Sequence, residues 1–253
     1  MKKKSEIAFD KYISNYDKSV KQIRLKYFHS YRVGKLMKKL AIALGLPKEE
    51  VRIAELIGLL HDIGRFEQIK KFGDCSDVKT GIDHADESCI YLFDNNHIRD
   101  FIDDDKYDSI IKDAIKYHNK IKIDDSIVGK NLLFSKMIRD MDKVDIYRVL
   151  SEEYSFMFNK NEVTSKVYET FVNHKTVDSH DKKTETDQIY AHLAFVYDIN
   201  FKESFEILKQ TNYLNDYYKS IRLKNDNERE YIENDKAFNE LIDEINSFIK
   251  NNS

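Results

Sequence analysis

The chain has 253 residues, is 41% hydrophobic and 34% charged, and carries a formal net charge of −3. This places it in the globular range, with enough apolar residues for one large domain or a core with an extension. Lysines and acids are interspersed, so there is no broad basic field for nucleic acid, and no run approaches the roughly 18–20 apolar residues that span a bilayer.

Seven glycines and a single proline, Pro47, point to helices with short connections. Met1 to Lys4 is basic, but no apolar run follows it, so it does not read as a signal peptide. Without one, Cys75 and Cys89 are expected as free thiols and the cytoplasm as the compartment.

Residues 5–44 read as one or two helices, with Val33, Leu36, Met37, Leu40 and Leu44 on one stripe and Gly45 as the stop. Pro47 opens the next helix, which has Glu49 and Glu50 in its first turn and ends near His61-Asp62-Ile63-Gly64. Residues 65–83 look irregular, punctuated by Gly73 and Gly81. Helices are expected at 84–95 and 107–119, a turn at 124–129 and a long helix at 130–150. Five more are expected at 151–158, 162–173, 187–198, 202–221 and 228–250, with a polar loop at 178–187. Period-two strand patterns are absent. The fold class is therefore all-α: a helical bundle with additional C-terminal helices. One domain is expected over 1–253, with its core at 20–150 and an extension at 151–253.

His29, His61, Asp62, His84, His118 and Asp142 each sit in or at the end of an expected helix. Successive separations from His29 to His61, His84, His118 and Asp142 are 32, 23, 34 and 24 residues, each about one helical hairpin. Antiparallel helices joined this way can bring all six to one level of a bundle, where sites of histidine and carboxylate hold metals. Neighbouring helical side chains diverge by about 100°, so the His61-Asp62 doublet needs a departure from helical geometry, which Gly64 is expected to permit. A lone histidine on a helix is more often a core or surface residue than a ligand. That is the reading for His97, His174, His180 and His192.

Three blocks of neighbours set the others apart. They are His29-Ser30-Tyr31-Arg32-Val33, Leu59-Leu60-His61-Asp62-Ile63-Gly64-Arg65, and Ile138-Arg139-Asp140-Met141-Asp142-Lys143-Val144-Asp145. Their order and spacing resemble the HD-domain superfamily, whose pattern is H…HD…D, over about residues 25–150. His84 and His118 are similar to the two extra histidines of its dinuclear branches. The resemblance implies that His29, His61, Asp62 and Asp142 hold a first metal, with Asp62 a candidate bridge, and that His84 and His118 hold a second or, if only one metal binds, contact substrate phosphate or act as acid/base groups. The Gly-Tyr-Pro signature of cyclic-di-GMP phosphodiesterases is missing. So are the Glu-Asp dyad of guanosine-tetraphosphate hydrolases and the extended signature of dNTP triphosphohydrolases.

What the resemblance implies is a metal-dependent phosphohydrolase. It would cleave a phosphomonoester or phosphodiester of a nucleotide or other small phosphorylated metabolite, with one or two divalent ions (Mn, Fe, Ni or Zn, with Mg also open). Arg65, Lys26 and Arg32 are candidate phosphate contacts, since one lies three residues after Asp62 and the other two flank His29 by three. Asp145 is a candidate to orient a ligand from outside the site, and Lys143 is expected to face solvent. Two alternatives stand beside this reading: a mixed-valent di-iron oxygenase of the same superfamily, and a non-catalytic helical module that senses a nucleotide or binds a partner. Oligomeric state, including a homo-oligomer, stays open.

Overall fold

The computed structural model describes residues 3–224 and 235–253. The chain falls into two compact units, Met1–Asp142 and Lys143–Ser253.

The first unit is helical: α1 (Lys4–Ile13), α2 (Lys21–Ala43), α3 (Lys48–Leu60), α4 (Ile63–Phe72), α5 (Asp77–Thr80), α6 (His84–Cys89), α7 (Ile98–Phe101) and α8 (Asp108–Tyr117). The helix α9 (Gly129–Glu153) follows, and the division between the units falls within it. The expected first segment is thus two helices, and α2 ends as read, with Gly45 at φ 70°, a left-handed turn that glycine adopts without strain.

Residues 65–83, expected to be irregular, contain α4 and α5. The helix α4 forms because Ile63, Phe66 and Ile69 recur every three residues and all three are buried. Phe66 packs edge-on against Phe9 and Tyr12, so it ties α4 to α1. Truncating such a residue to alanine costs about 3–5 kcal/mol. The helix expected at 84–95 is α6 continued by a π-helical turn at Ile90–Asp94.

Two crossings in this unit are set by glycine. A Cβ on Gly58 of α3 would lie 2.7 Å from the backbone of Gly34 of α2, so these helices touch main chain to main chain. A Cβ on Gly64 of α4 would lie 2.6 Å from the carbonyl oxygen of His84 and 2.7 Å from the amide of Ser88. Both crossings leave no room for a side chain.

The second unit holds α10 (Ser165–Val172), α11 (Glu185–Leu193), α12 (Lys202–Thr211), α13 (Tyr213–Ser220) and α14 (Lys236–Asn252). It also holds two short strands, β1 (Met157–Phe158) and β2 (Arg222–Leu223), which pair in parallel where the sequence pattern showed no strand. The helix expected at 151–158 is only the end of α9 followed by β1. The one expected at 202–221 breaks at Asn212, which is left-handed at φ 60°. Of the helix expected at 228–250, residues 228–234 lie outside the described residues.

Lys143 was expected to face solvent. It is buried and pairs with Asp198 at 2.7 Å, because an ammonium taken out of water needs a counter-charge. Tyr217 and Tyr218 are buried, as packing requires. Among the described residues, no helix is long and apolar enough to cross a membrane.

Candidate metal centre

Six helices, α2, α3, α4, α6, α8 and the first part of α9, deliver six side chains to one point. His29 comes from the middle of α2, and His61 and Asp62 occupy the junction of α3 and α4. His84 opens α6, His118 follows the last turn of α8, and Asp142 lies on α9. The doublet turns inward because Asp62 itself leaves helical geometry, at φ −103° and ψ 16°. Gly64, expected to permit that departure, is helical. What it supplies is closeness: its amide donates to Ser88 Oγ at 2.9 Å, and the Ser88 hydroxyl donates to the carbonyl of His84 at 2.8 Å.

The six residues form two groups joined by one carboxylate. His29 Nε2 lies 3.2 Å from His61 Nε2, 3.0 Å from Asp142 Oδ1 and 3.6 Å from Asp62 Oδ2. His61 Nε2 lies 3.5 Å from each of those two oxygens. On the other side, His84 Nε2 is 2.9 Å from His118 Nε2 and 3.1 Å from Asp62 Oδ1, with His118 Nε2 3.7 Å from the same oxygen. Asp62 thus turns Oδ2 to one histidine pair and Oδ1 to the other. The sets His29-His61-Asp62, His61-His118-Asp142 and Asp62-His84-His118 each place their ligand atoms within 4.8 Å of one another.

The hydrogen bonds behind the rings test whether a cation fits. His61 Nδ1 faces the carbonyl of Gly58 at 2.8 Å, and His118 Nδ1 faces that of Ile115 at 2.7 Å. A carbonyl only accepts, so each Nδ1 carries a proton and, in the neutral ring, each Nε2 presents a lone pair inward. Burial is the main cause that pushes His118 down to about 4, outweighing the opposite pull of the Asp62 carboxylate, so this ring is neutral at physiological pH. Nitrogens this close, with lone pairs available, can share a cation between them. With metal–nitrogen bonds of about 2.1 Å, two nitrogens on one ion sit about 3.0 Å apart at a right angle and about 3.4 Å apart at the tetrahedral angle. One nitrogen pair, at 3.2 Å, falls in that range, and the other, at 2.9 Å, lies about 0.1 Å below it. The donor set therefore fits one or two divalent ions.

Residues 27–147 match the family model of the HD domain. This stretch of the chain is an HD domain. The HD domain belongs to a superfamily of metal-dependent phosphohydrolases, in keeping with the His/Asp clusters here that could hold a metal. No curated protein and no solved structure matches the chain.

Both inward acids of this HD domain are ionised. Burial opposes the charge on Asp62, yet Lys26 and His61 outweigh it and hold the carboxyl well below the usual carboxylate range. At Asp142 burial is likewise outweighed, by the rings of His29 and His61 that lie against it. Of the six residues, Asp142 is the partly open one, its side chain 20% exposed against 3% for Asp62.

Lys26 places Nζ 2.6 Å from Asp62 Oδ2. Burial works against its charge, and Asp62 more than restores it. Arg65 holds Nε 3.7 Å from Asp62 Oδ1 with no hydrogen-bond partner, while its Nη1 is committed to Asp77 at 2.5 Å, to Gln68 at 3.0 Å and to the carbonyl of Cys75. Arg32 is half-buried one turn on from His29, and Asp145 is buried one turn on from Asp142.

The sequence reading missed two residues beside His84. Asp77 accepts from its Nδ1 at 2.7 Å, and Asn119 donates to Asp83 at 2.9 Å and to Asp77 at 3.3 Å. Asn119 directly follows His118, a signal that was available. A cavity of about 590 Å³ opens elsewhere in the unit, against Tyr31, Lys35, Arg52, Ile53 and Phe101, and none of the six inward residues lines it.

Proposed function

We propose that the protein is a metal-dependent phosphohydrolase that cleaves a phosphomonoester or phosphodiester of a nucleotide or another small phosphorylated metabolite. The observation that carries this reading is Asp62, whose two oxygens face two separate histidine pairs. His29, His61, Asp142 and Asp62 would hold one ion, and His84, His118 and Asp62 a second, drawn from Mn, Fe, Ni or Zn, with Mg also open. When bound, such ions supply a water acidified to near neutral pH and positive charge against a phosphoryl group.

The chain's own residues do the rest. His118, neutral through burial, and the ionised Asp62 and Asp142 need no deprotonation before they bind a cation. Lys26 and Arg65, 16% and 15% exposed beside Asp62, are proposed to meet a phosphate there, and Arg32, one turn on from His29, is proposed as a third contact. Asp145 is proposed to steady the α9 ligand from outside. Residues 20–150 would be the catalytic core and 151–253 its extension. The free thiols Cys75 and Cys89 fit a reducing compartment such as the cytoplasm.

The test is elemental analysis of wild type and Asp62→Ala, followed by a screen of p-nitrophenyl phosphate and bis-p-nitrophenyl phosphate. About two transition-metal ions per chain in wild type, none in the variant, and turnover that depends on them is the expected result. Bound iron with oxygen uptake and no phosphoester turnover would put the di-iron oxygenase in its place. A wild type that takes up no metal after reconstitution would leave a binding module.

A further inference from the structure

His61 and His118 lean on backbone carbonyls, whereas His84 leans on a charge. Its Nδ1 lies 2.7 Å from Asp77 Oδ2. Arg65 pairs with the same carboxylate. A carboxylate only accepts, so the proton between the two sits on Nδ1 and Nε2 turns to Asp62 and His118.

Asp77 is itself held in place. Its other oxygen accepts from Arg65 Nη1 at 2.5 Å and from Gln68 Nε2 at 3.0 Å. Gln68 is buried and also donates to Thr80 Oγ1 at 2.7 Å, so α4 grips both ends of the four-residue α5. Asn119 spends its amide protons on Asp83 and Asp77, which leaves the Nδ1 proton of His84 to Asp77 alone.

We propose that Asp77 is a positioning residue: it fixes the Nδ1 proton of His84, sets the ring so that Nε2 faces Asp62 Oδ1, and strengthens that nitrogen as a donor for the second ion. The last part rests on the two-ion reading above; the first two do not.

The experiment has two arms. In metal-free protein, nitrogen-15 imidazole spectra of wild type are expected to show a downfield, slowly exchanging Nδ1 proton assigned to His84. It is lost in Asp77→Ala and kept in Asp77→Asn, whose amide oxygen still accepts. In the second arm, MnCl2 is titrated calorimetrically. Asp77→Ala is expected to weaken the second binding step by about tenfold to a hundredfold, with the first step within about threefold of wild type and Asp77→Asn in between. An Nδ1 proton that survives in Asp77→Ala, or one absent from wild type, overturns the proposal. Equal weakening of both steps overturns it as well, since that is what general loosening of the fold would give. If Asp77→Ala does not fold, wild type and Asp77→Asn still decide through the Nδ1 proton. Wild type that shows the proton but binds none of Mn²⁺, Fe²⁺, Ni²⁺ and Zn²⁺ refutes the metal reading and leaves the positioning of the ring standing.

Discussion

The Lys26 ammonium sits 2.6 Å from Asp62 Oδ2, the oxygen that also faces His29 and His61. A cation already occupies the neighbourhood in which a first metal ion would bind. Like charges this close in a mostly buried site repel by several kcal/mol even after screening by the protein. Replacing Lys26 with methionine keeps the stem and removes the charge. Mn²⁺ should then bind about tenfold tighter, a change of about 1.4 kcal/mol, while phosphoester turnover falls as a phosphate contact is lost. Calorimetry alongside steady-state kinetics reads both. Weaker binding in Lys26→Met would mean that Lys26 mainly holds Asp62 in place.

Metal should stabilise the fold, because the ligand atoms of both histidine pairs converge in the folded state and not in the unfolded chain. At a free concentration 100 times its dissociation constant, one ion adds about 2.7 kcal/mol. Thermal melts with and without MnCl2 should differ by several degrees for wild type and not at all for Asp62→Ala. Equal shifts in the two proteins would place the binding elsewhere.

The Gly34–Gly58 crossing predicts a coupled loss. Gly58→Ala gains about 1 kcal/mol in helix propensity, but its new methyl meets the backbone of Gly34 at 2.7 Å. Overpacking of that kind costs about 1–3 kcal/mol, and relieving it pushes α2 from α3 and His29 from His61. Urea denaturation should show a net loss, and Mn²⁺ titration a weaker first step. Unchanged binding at reduced stability would show that the site tolerates the movement.

Acid should destabilise the second unit through His192. Burial pushes this histidine down to about 3, with Lys182 adding to the effect, and its ring pairs with Tyr217 at 2.9 Å. In the unfolded chain its pKa returns to about 6.5. The unfolded state therefore binds the extra proton between those values, so this contribution is full above about pH 6.5 and is lost as pH falls toward 3, by up to about 1.4 kcal/mol per pH unit. His192→Gln should flatten the stability–pH curve below pH 6.5 by about one proton, as measured by urea denaturation at stepped pH. An unaltered slope would mean that His192 does not carry it.

The features legible in the sequence were those written locally. The stripe from Val33 to Leu40 and the cluster from Ile110 to Ile115 gave α2 and α8, and all of those residues except the intervening polar ones are buried. The six inward residues stood out because their neighbours formed recognisable blocks, and the fold brings them together. The features that escaped depend on distance. In α4 the apolar positions Ile63, Phe66 and Ile69 are diluted by Arg65, Glu67, Gln68 and Lys70, and Gly64 looked like a breaker when it is a contact. Lys143 found Asp198 55 residues away, and Asp77 reaches His84 only because α4 anchors the segment between them. Strands of two residues leave no periodicity to read.

The glycine crossing of α2 and α3 also sets a bite for any ion. Main chain packed on main chain at Gly34–Gly58 cannot breathe the way side-chain contacts do, so the His29 and His61 nitrogens stay near 3.2 Å. An ion with bonds of about 2.1 Å would meet that pair at an angle of about 100°, between the octahedral and the tetrahedral values. The backbone thus works as a jaw with a fixed gap, set before any ion arrives.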